Sequence, residues 1–382
     1  MLSAACTGPV KATHVVDARG RHDDLAAAPV LANKLDALLD GRLRLIGATV
    51  KTTAKPGEKV PLTLAFLVER ECAGSPMVFV HVAAPGAEVN QAQADHALPL
   101  TASEWRPGDL LVDTVDIDIP ASIGVDELLV WAGLYEGKQR WSVSPSAAHD
   151  GNNRVEVGRI HVDGAPPFRV EAEVHERKQP IQIDGVLDEP DWARAAVLGP
   201  FIAWDAKTAI TRATTAKLLW DADNLYLAFR GEDPDVFTPY RKRDDPLYES
   251  EAVEIFIDAD GDKDVYVELQ AAPQNDVHFD AAFAGGRRKN MDTRYDVDYQ
   301  TKTVVDATGF TSEWRIPVKP LKDVPMGEPH AGASWKINLF RLERVRDASK
   351  TRVIKNEASA WSTPLSGDFH NLDRFGTITF VP

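Results

Sequence analysis

Along most of this chain, hydrophobic residues recur at every second position in short runs separated by turns rich in Pro and Gly. Alternation of this kind sends successive side chains to opposite faces of an extended backbone, and it predicts strands packed on a core by one face. In the first half the clearest runs are 43–46, 60–66, 77–82, 110–119 and 128–135, with a closing strand at 154–162. Lys55-Pro-Gly57, Arg106-Pro-Gly-Asp109 and Tyr135-Glu-Gly137 lie between them, where Pro fixes φ and Gly admits turn conformations closed to other residues. Many short strands punctuated in this way predict a β-sandwich.

Consecutive prolines at Gly164-Ala-Pro-Pro-Phe168 cannot join a sheet and stiffen the chain, which marks 164–169 as a linker. It separates a first domain at 41–163 from a second at 170–382, and 382 residues are too many for one ordinary core. Residues 1–40 read as an N-terminal tether, polar and Ala-rich, with 32–40 open to a short helix or to continued tether. The second domain shows no strong helical period beyond a turn at 188–195, where Asp188 is placed to cap and Pro190 to occupy the first turn.

Within the second domain, Ala252-Val-Glu-Ile-Phe-Ile-Asp258 sends Val253, Ile255 and Ile257 to one face as a core stripe. Glu254, Phe256 and Asp258 take the other, with Tyr248 on the approaching loop. A ring to cover the apolar C–H surface of a sugar, beside groups that hydrogen-bond its hydroxyls, is what glycan recognition requires.

Charge narrows the partners further. A net charge of −15 would be repelled by nucleic acid and by anionic membrane surfaces. No window holds the roughly 18 apolar residues of a membrane helix. Two cysteines, Cys6 and Cys72, are too few for a disulfide framework. Cys6 follows Leu2-Ser-Ala-Ala5, the small-residue pattern that ends a bacterial lipoprotein signal. The expectation is a trimmed lipoprotein precursor lipidated at Cys6 and attached to the cell envelope, as an outer-membrane lipoprotein or in the periplasm, or else secreted. Membrane contact would then run only through that lipid.

Five segments in order carry a family resemblance: Ile183 to Trp192, Leu219 to Phe229, Tyr248 to Asp262, Trp335 to Arg341, and Trp361 through Phe369-His370 to Ile378. Together they resemble the family 9 carbohydrate-binding modules, and the first half resembles the small immunoglobulin-like sandwiches found beside them. The fold expected is all-β, two β-sandwich domains in tandem: immunoglobulin-like, then a carbohydrate-binding-module-like jelly-roll sandwich. The resemblance implies binding of glycan or polysaccharide without catalysis. Tyr248 and Trp361 would be two rings gripping a sugar and Glu254 its hydrogen-bonding acid, with Phe369 and His370 as lesser candidates for the second ring.

On the strand Tyr266-Val-Glu-Leu-Gln270, the arginine and asparagine expected of a glucose-binding member are replaced by Glu268 and Gln270. Arg341 is then available to supply the missing guanidinium. Enzyme motifs are lacking: there is no Gly-rich phosphate loop, no Gly-x-Ser-x-Gly and no His-Glu-x-x-His. The alternative to sugar binding is a structural or adhesive envelope protein whose sandwich contacts protein.

Asp258, Asp260 and Asp262 offer carboxylates at alternate positions around Gly261, the start of a calcium loop. Leu269 stands where an EF-hand needs its closing glutamate, so a full EF-hand is excluded. The resembled family holds structural calcium, which implies one ion here. A haem reading would draw on Met291, His278 and His370, which no spacing singles out.

Overall fold

The computed structural model describes residues 10–319 and 328–382. Its chain divides into two compact units between Phe168 and Arg169. Helical segments among the described residues are single 3-10 turns, and everything else that is regular is β.

Two sheets make the first unit. One runs Val143–Ser144, Asn33–Leu39, Leu43–Val50, Lys59–Val68, Asp109–Asp118, His14–Asp17 and Gly20–His22. The other runs Thr53–Ala54, Val155–Val162, Glu127–Glu136, Met77–Ala83 and Ala92–Gln93. Alternate residues such as Leu62, Leu64 and Phe66 on one sheet, and Val78, Val80 and Val82 on the other, are fully buried. At Gly158 the sheets approach so closely that a Cβ would stand 2.3 Å from Val50 Cγ1.

From residue 10 onward the structure corrects the reading of 1–40 as a tether, and the helix allowed at 32–40; residues 1–9 lie outside the described residues. His14–Asp17 and Gly20–His22 belong to the sheet, and Asn33–Leu39 pairs antiparallel with Leu43–Val50. The cause is local. Asp40 and Gly41 take φ of 49° and 68°, and the Arg42 N–H donates to Leu39 O at 2.9 Å. Asp-Gly with both residues at positive φ is a tight hairpin turn whose twist suits two strands.

The second unit is one curled sheet of 13 strands among the described residues. Its main path runs His278–Phe283, Tyr266–Ala271, Ala252–Asp258, Ser334–Arg346, Gly376–Val381, Glu171–Glu176, Thr214–Trp220, Asn224–Glu232, Gly309–Pro317 and Gln300–Val305. The two halves fold face to face, so Val253, Ile255, Val267 and Leu269 from one meet Leu227, Phe229, Trp314 and Ile316 from the other in a single core. Both units are thus sandwiches, as the alternation predicts. At the turn Pro190–Ala193, Glu189 and not Asp188 holds the N-cap position, with Pro190 in the first turn.

Candidate functional site

The strand Ala252–Asp258 is buried along its whole length. Its core stripe, Val253, Ile255 and Ile257, faces inward as the alternation predicts, but the opposite face is covered as well. There Phe256 packs with Tyr266, Phe279, Phe283, Phe340 and Phe375 in a second apolar cluster. Strand register builds the rows of this outer face. Glu254 lies beside Gln270 and Phe340, Phe256 beside Glu268 and Asn338, and Tyr266 beside Phe283.

Over these rows opens a cleft of about 340 Å³, within the range of small-ligand sites. Glu254, Phe256, Glu268, Phe279 and Phe283 form its floor, with Tyr248, Arg288, Met291, Leu342 and the loop residues Gly367–His370 around it. Tyr248 projects from the turn Leu247–Glu249, 47% exposed, edge-on to Phe279 at 5.9 Å between ring centres. Phe369 lies half-buried and flat on Phe340 at 4.3 Å. Two rings therefore flank the opening from separate loops.

The floor is acidic. Gln270 Nε2 donates to Glu268 Oε1, while no protein donor reaches Glu254 Oε1, although Glu254 is only 1% exposed. Burial, then the neighbouring charge of Glu268, holds the Glu254 carboxyl well above the usual range. Burial also lifts Glu268, to about 7. His370 stands over the pair, its Nδ1 2.7 Å from the Tyr266 hydroxyl and its Nε2 3.8 Å from Glu268 Oε2. Burial pushes its imidazole down to about 4, so the ring is neutral at pH 7. The Tyr266 hydroxyl also accepts from the Arg288 N–H at 3.0 Å, which ties the Arg288 loop to the floor. Buried acceptors without donors are costly to keep, and a ligand carrying donors would satisfy them.

Of the residues singled out from sequence, Tyr248 and Glu254 meet in this cleft. Gln270 lies on the same face but is buried and orients Glu268. Trp361 does not take the place expected of it. Its side chain is part of the inter-sheet core, and it packs so closely on Gly376 that a Cβ there would stand 2.6 Å from the ring. Phe369, the lesser candidate, supplies the second ring.

Arg341 is also displaced, and for a reason of parity. It pairs with Val253, on the core side of the sheet, where its guanidinium binds Glu343 and, at 3.1 Å, Asp233. It also lies over the Phe310 ring at 4.6 Å. The guanidinium beside the cleft belongs to Arg288, 65% exposed and 3.7 Å from Asp368. Nothing in the sequence around Arg288 signals this, whereas the alternation of 278–283 would have put Phe279 and Phe283 on the cleft face. Met291 and His370 both line the cleft, but His278 does not join them. It stacks on Tyr299 and hydrogen-bonds Thr301.

Two groups of three acids lie close together among the described residues. Asp233, Glu251 and Glu343 surround Arg341 in the interior. Asp258, Asp260 and Asp262 form the turn that follows the cleft strand. Asp258 is buried and accepts from the Gly261 and Lys263 N–H groups at 3.0 and 3.2 Å, and burial raises its carboxyl to about 6.

A family model described as carbohydrate family 9 binding domain-like matches residues 183–381. No curated protein matches the chain. Among solved structures, a family 9 carbohydrate-binding module from Caldicellulosiruptor kristjanssonii in complex with cellotriose is 21% identical, covering 55% of this chain and 93% of its own, with a TM-score of 0.40. The same figures hold for that module in complex with glucose, except that 95% of its chain is covered. A putative carbohydrate-binding protein from Bacteroides uniformis is 14% identical, covering 56% and 99%, with a TM-score of 0.44.

The placement of Trp361 gives a stability prediction. Trp361→Ala should destabilise the second unit by about 3–5 kcal/mol, the cost of emptying a packed aromatic site, whereas Phe369→Ala should cost less. Chemical denaturation of both variants checks the order, and a near-neutral Trp361→Ala would remove the residue from the core.

The interior acids give a pH prediction. Burial, then the charge of Glu343, holds Glu251 up at about 9, against an ordinary 4.5. Between those values the folded protein keeps a proton that the unfolded chain releases, so stability falls as pH rises. Glu251→Gln should flatten the fall in melting temperature between about pH 5 and pH 9. Parallel pH profiles for the two proteins would rule Glu251 out as its source.

Proposed function

Because the chain belongs to the carbohydrate family 9 binding domain-like family, we propose that its second unit binds a glycan in the cleft between Tyr248 and Phe369, as a binding protein and not a catalyst. The observation that carries this reading is the buried, donorless oxygen of Glu254 in the floor of an open cleft flanked by two rings. A pyranose presents apolar C–H faces and a rim of hydroxyl donors. The rings suit the first and the carboxylates the second.

The reading extends to place and metal. Cys6 lies outside the described residues. Its sequence context supports lipidation, so that the sandwich would present its cleft from the bacterial envelope. Calcium at Asp258, Asp260 and Asp262 is supported by the chemistry of the donors, three carboxylates whose oxygens can all lie within 4.8 Å of one another and which suit a hard cation. An ion there would stabilise the turn that ends the cleft strand, with no part in contacting sugar.

Calorimetric titration of the purified protein with soluble plant and microbial oligosaccharides tests the glycan site. Tyr248→Ala should weaken binding by roughly two- to tenfold, the worth of a ring contact beyond its area. Glu254→Ala should weaken it at least as much, since the change removes the buried group that would hydrogen-bond the sugar. Normal binding by both variants would put the ligand elsewhere.

Thermal melts with calcium and with chelator test the metal. Saturation at about 100 times the dissociation constant adds roughly 2.7 kcal/mol, and Asp260→Ala should abolish the difference. Identical melts would dismiss the ion.

A further inference from the structure

Acceptors outnumber donors on the cleft floor. Glu254 and Glu268 lie on adjacent strands of one face, since Glu254 pairs with Gln270 and Phe256 with Glu268. Each is at most 6% exposed. Gln270 spends its amide nitrogen on Glu268 and leaves its own Oε1 without a protein donor, as is Glu254 Oε1. Where the strand Tyr266–Ala271 could have carried a cation between these groups, it carries an acid and an amide.

The surrounding charges do not supply one from within. Arg288 acts on Glu268 through space only: it is exposed and faces Asp368, which Arg287 already holds at 2.8 Å. Arg344 acts on Glu254 through space only, its guanidinium turned to the backbone carbonyls of Tyr248 and Glu249. His370 is neutral near pH 7. A neutral sugar seated on this floor would strip water from two neighbouring carboxyls and return no charge. They would have to keep a proton between them. An ammonium group returns both a charge and three donors.

We infer that the cleft selects glycans bearing a free amino group, a 2-amino-2-deoxy sugar whose ammonium sits between Glu254 and Glu268 while its ring lies against Tyr248 and Phe369. The inference rests on the glycan-binding reading and narrows its ligand class.

Calorimetry with three matched sets of oligosaccharides tests it: β-1,4-linked glucosamine oligomers, their fully N-acetylated counterparts and cello-oligosaccharides of equal length. The buffer is held near pH 7, below the usual α-amino range and at the value to which burial lifts Glu268, so that ammonium and carboxylate can coexist, in about 0.15 M salt. The salt screens the non-specific attraction of cations to a protein of net charge −15. Glucosamine oligomers should bind at least roughly tenfold more tightly than either neutral set, as a charge-assisted hydrogen bond requires. Glu254→Gln, which keeps the shape but cannot carry a charge, should cost glucosamine oligomers more affinity than it costs either neutral set and so erase the preference, and Glu268→Gln should reduce it. Should the neutral sets bind as well as or better than the amino set, the amino-sugar inference is overturned and glycan binding stands. Should a preference survive in Glu254→Gln, it comes from the surface and the inference is likewise overturned. Binding of none of the three sets would overturn the glycan reading itself.

Discussion

The strand Ala252–Asp258 has no solvent face, and the second unit is organised around that constraint. A sheet with one wet face has a simple division of labour, apolar inward and polar outward. Here the inward stripe of Val253, Ile255 and Ile257 closes the sandwich core, so Glu254 and Phe256 must be accommodated under a second layer of rings and loops. That layer leaves an opening above Glu254 and Glu268. The cleft exists because the outer face of the sheet was covered incompletely.

Buried charge marks both sides of the same strands. On the core side, Arg341 holds Asp233 and Glu343, with Glu251 close by and protonated by burial. Here the guanidinium meets two of the three acids directly, and the third keeps a proton. On the cleft side Glu254 and Glu268 face each other with a neutral histidine above and exposed arginines at the edge. The difference is one of charge: the interior cluster contains its own guanidinium, whereas the buried acids of the cleft floor have none bonded to them among the described residues.

The sandwich architecture was legible because period-two alternation is a local property, fixed by backbone geometry before any contact forms. The inward stripe of 252–258 follows from it, whereas the placing of Tyr248 beside Glu254 was implied by the family resemblance, since Tyr248 lies on a loop that alternation does not govern. The same rule would have excluded Arg341, which is an odd number of residues from Phe340 on one continuous strand and so must point to the other face. The hairpin at Asp40-Gly41 was equally local, and a helical reading of the apolar spacing in 32–40 passed over it.

What alternation could not decide is which of two buried faces a residue serves, and what arrives from a distant loop to cover it. Trp361 and Phe369 are both aromatic and eight positions apart. Only the close approach of Gly376 draws Trp361 into the core, and only the stacking on Phe340 fixes Phe369 at the cleft. Arg288 reaches the cleft through its backbone N–H, which donates to the Tyr266 hydroxyl, a contact between a loop and a distant strand that no local pattern encodes. The sequence by itself determined strands, faces and the acid at Glu254, because these depend on the residue and its neighbours. The tertiary structure alone decided the second ring, the flanking cation and the donorless floor, because these depend on which segments close over the sheet.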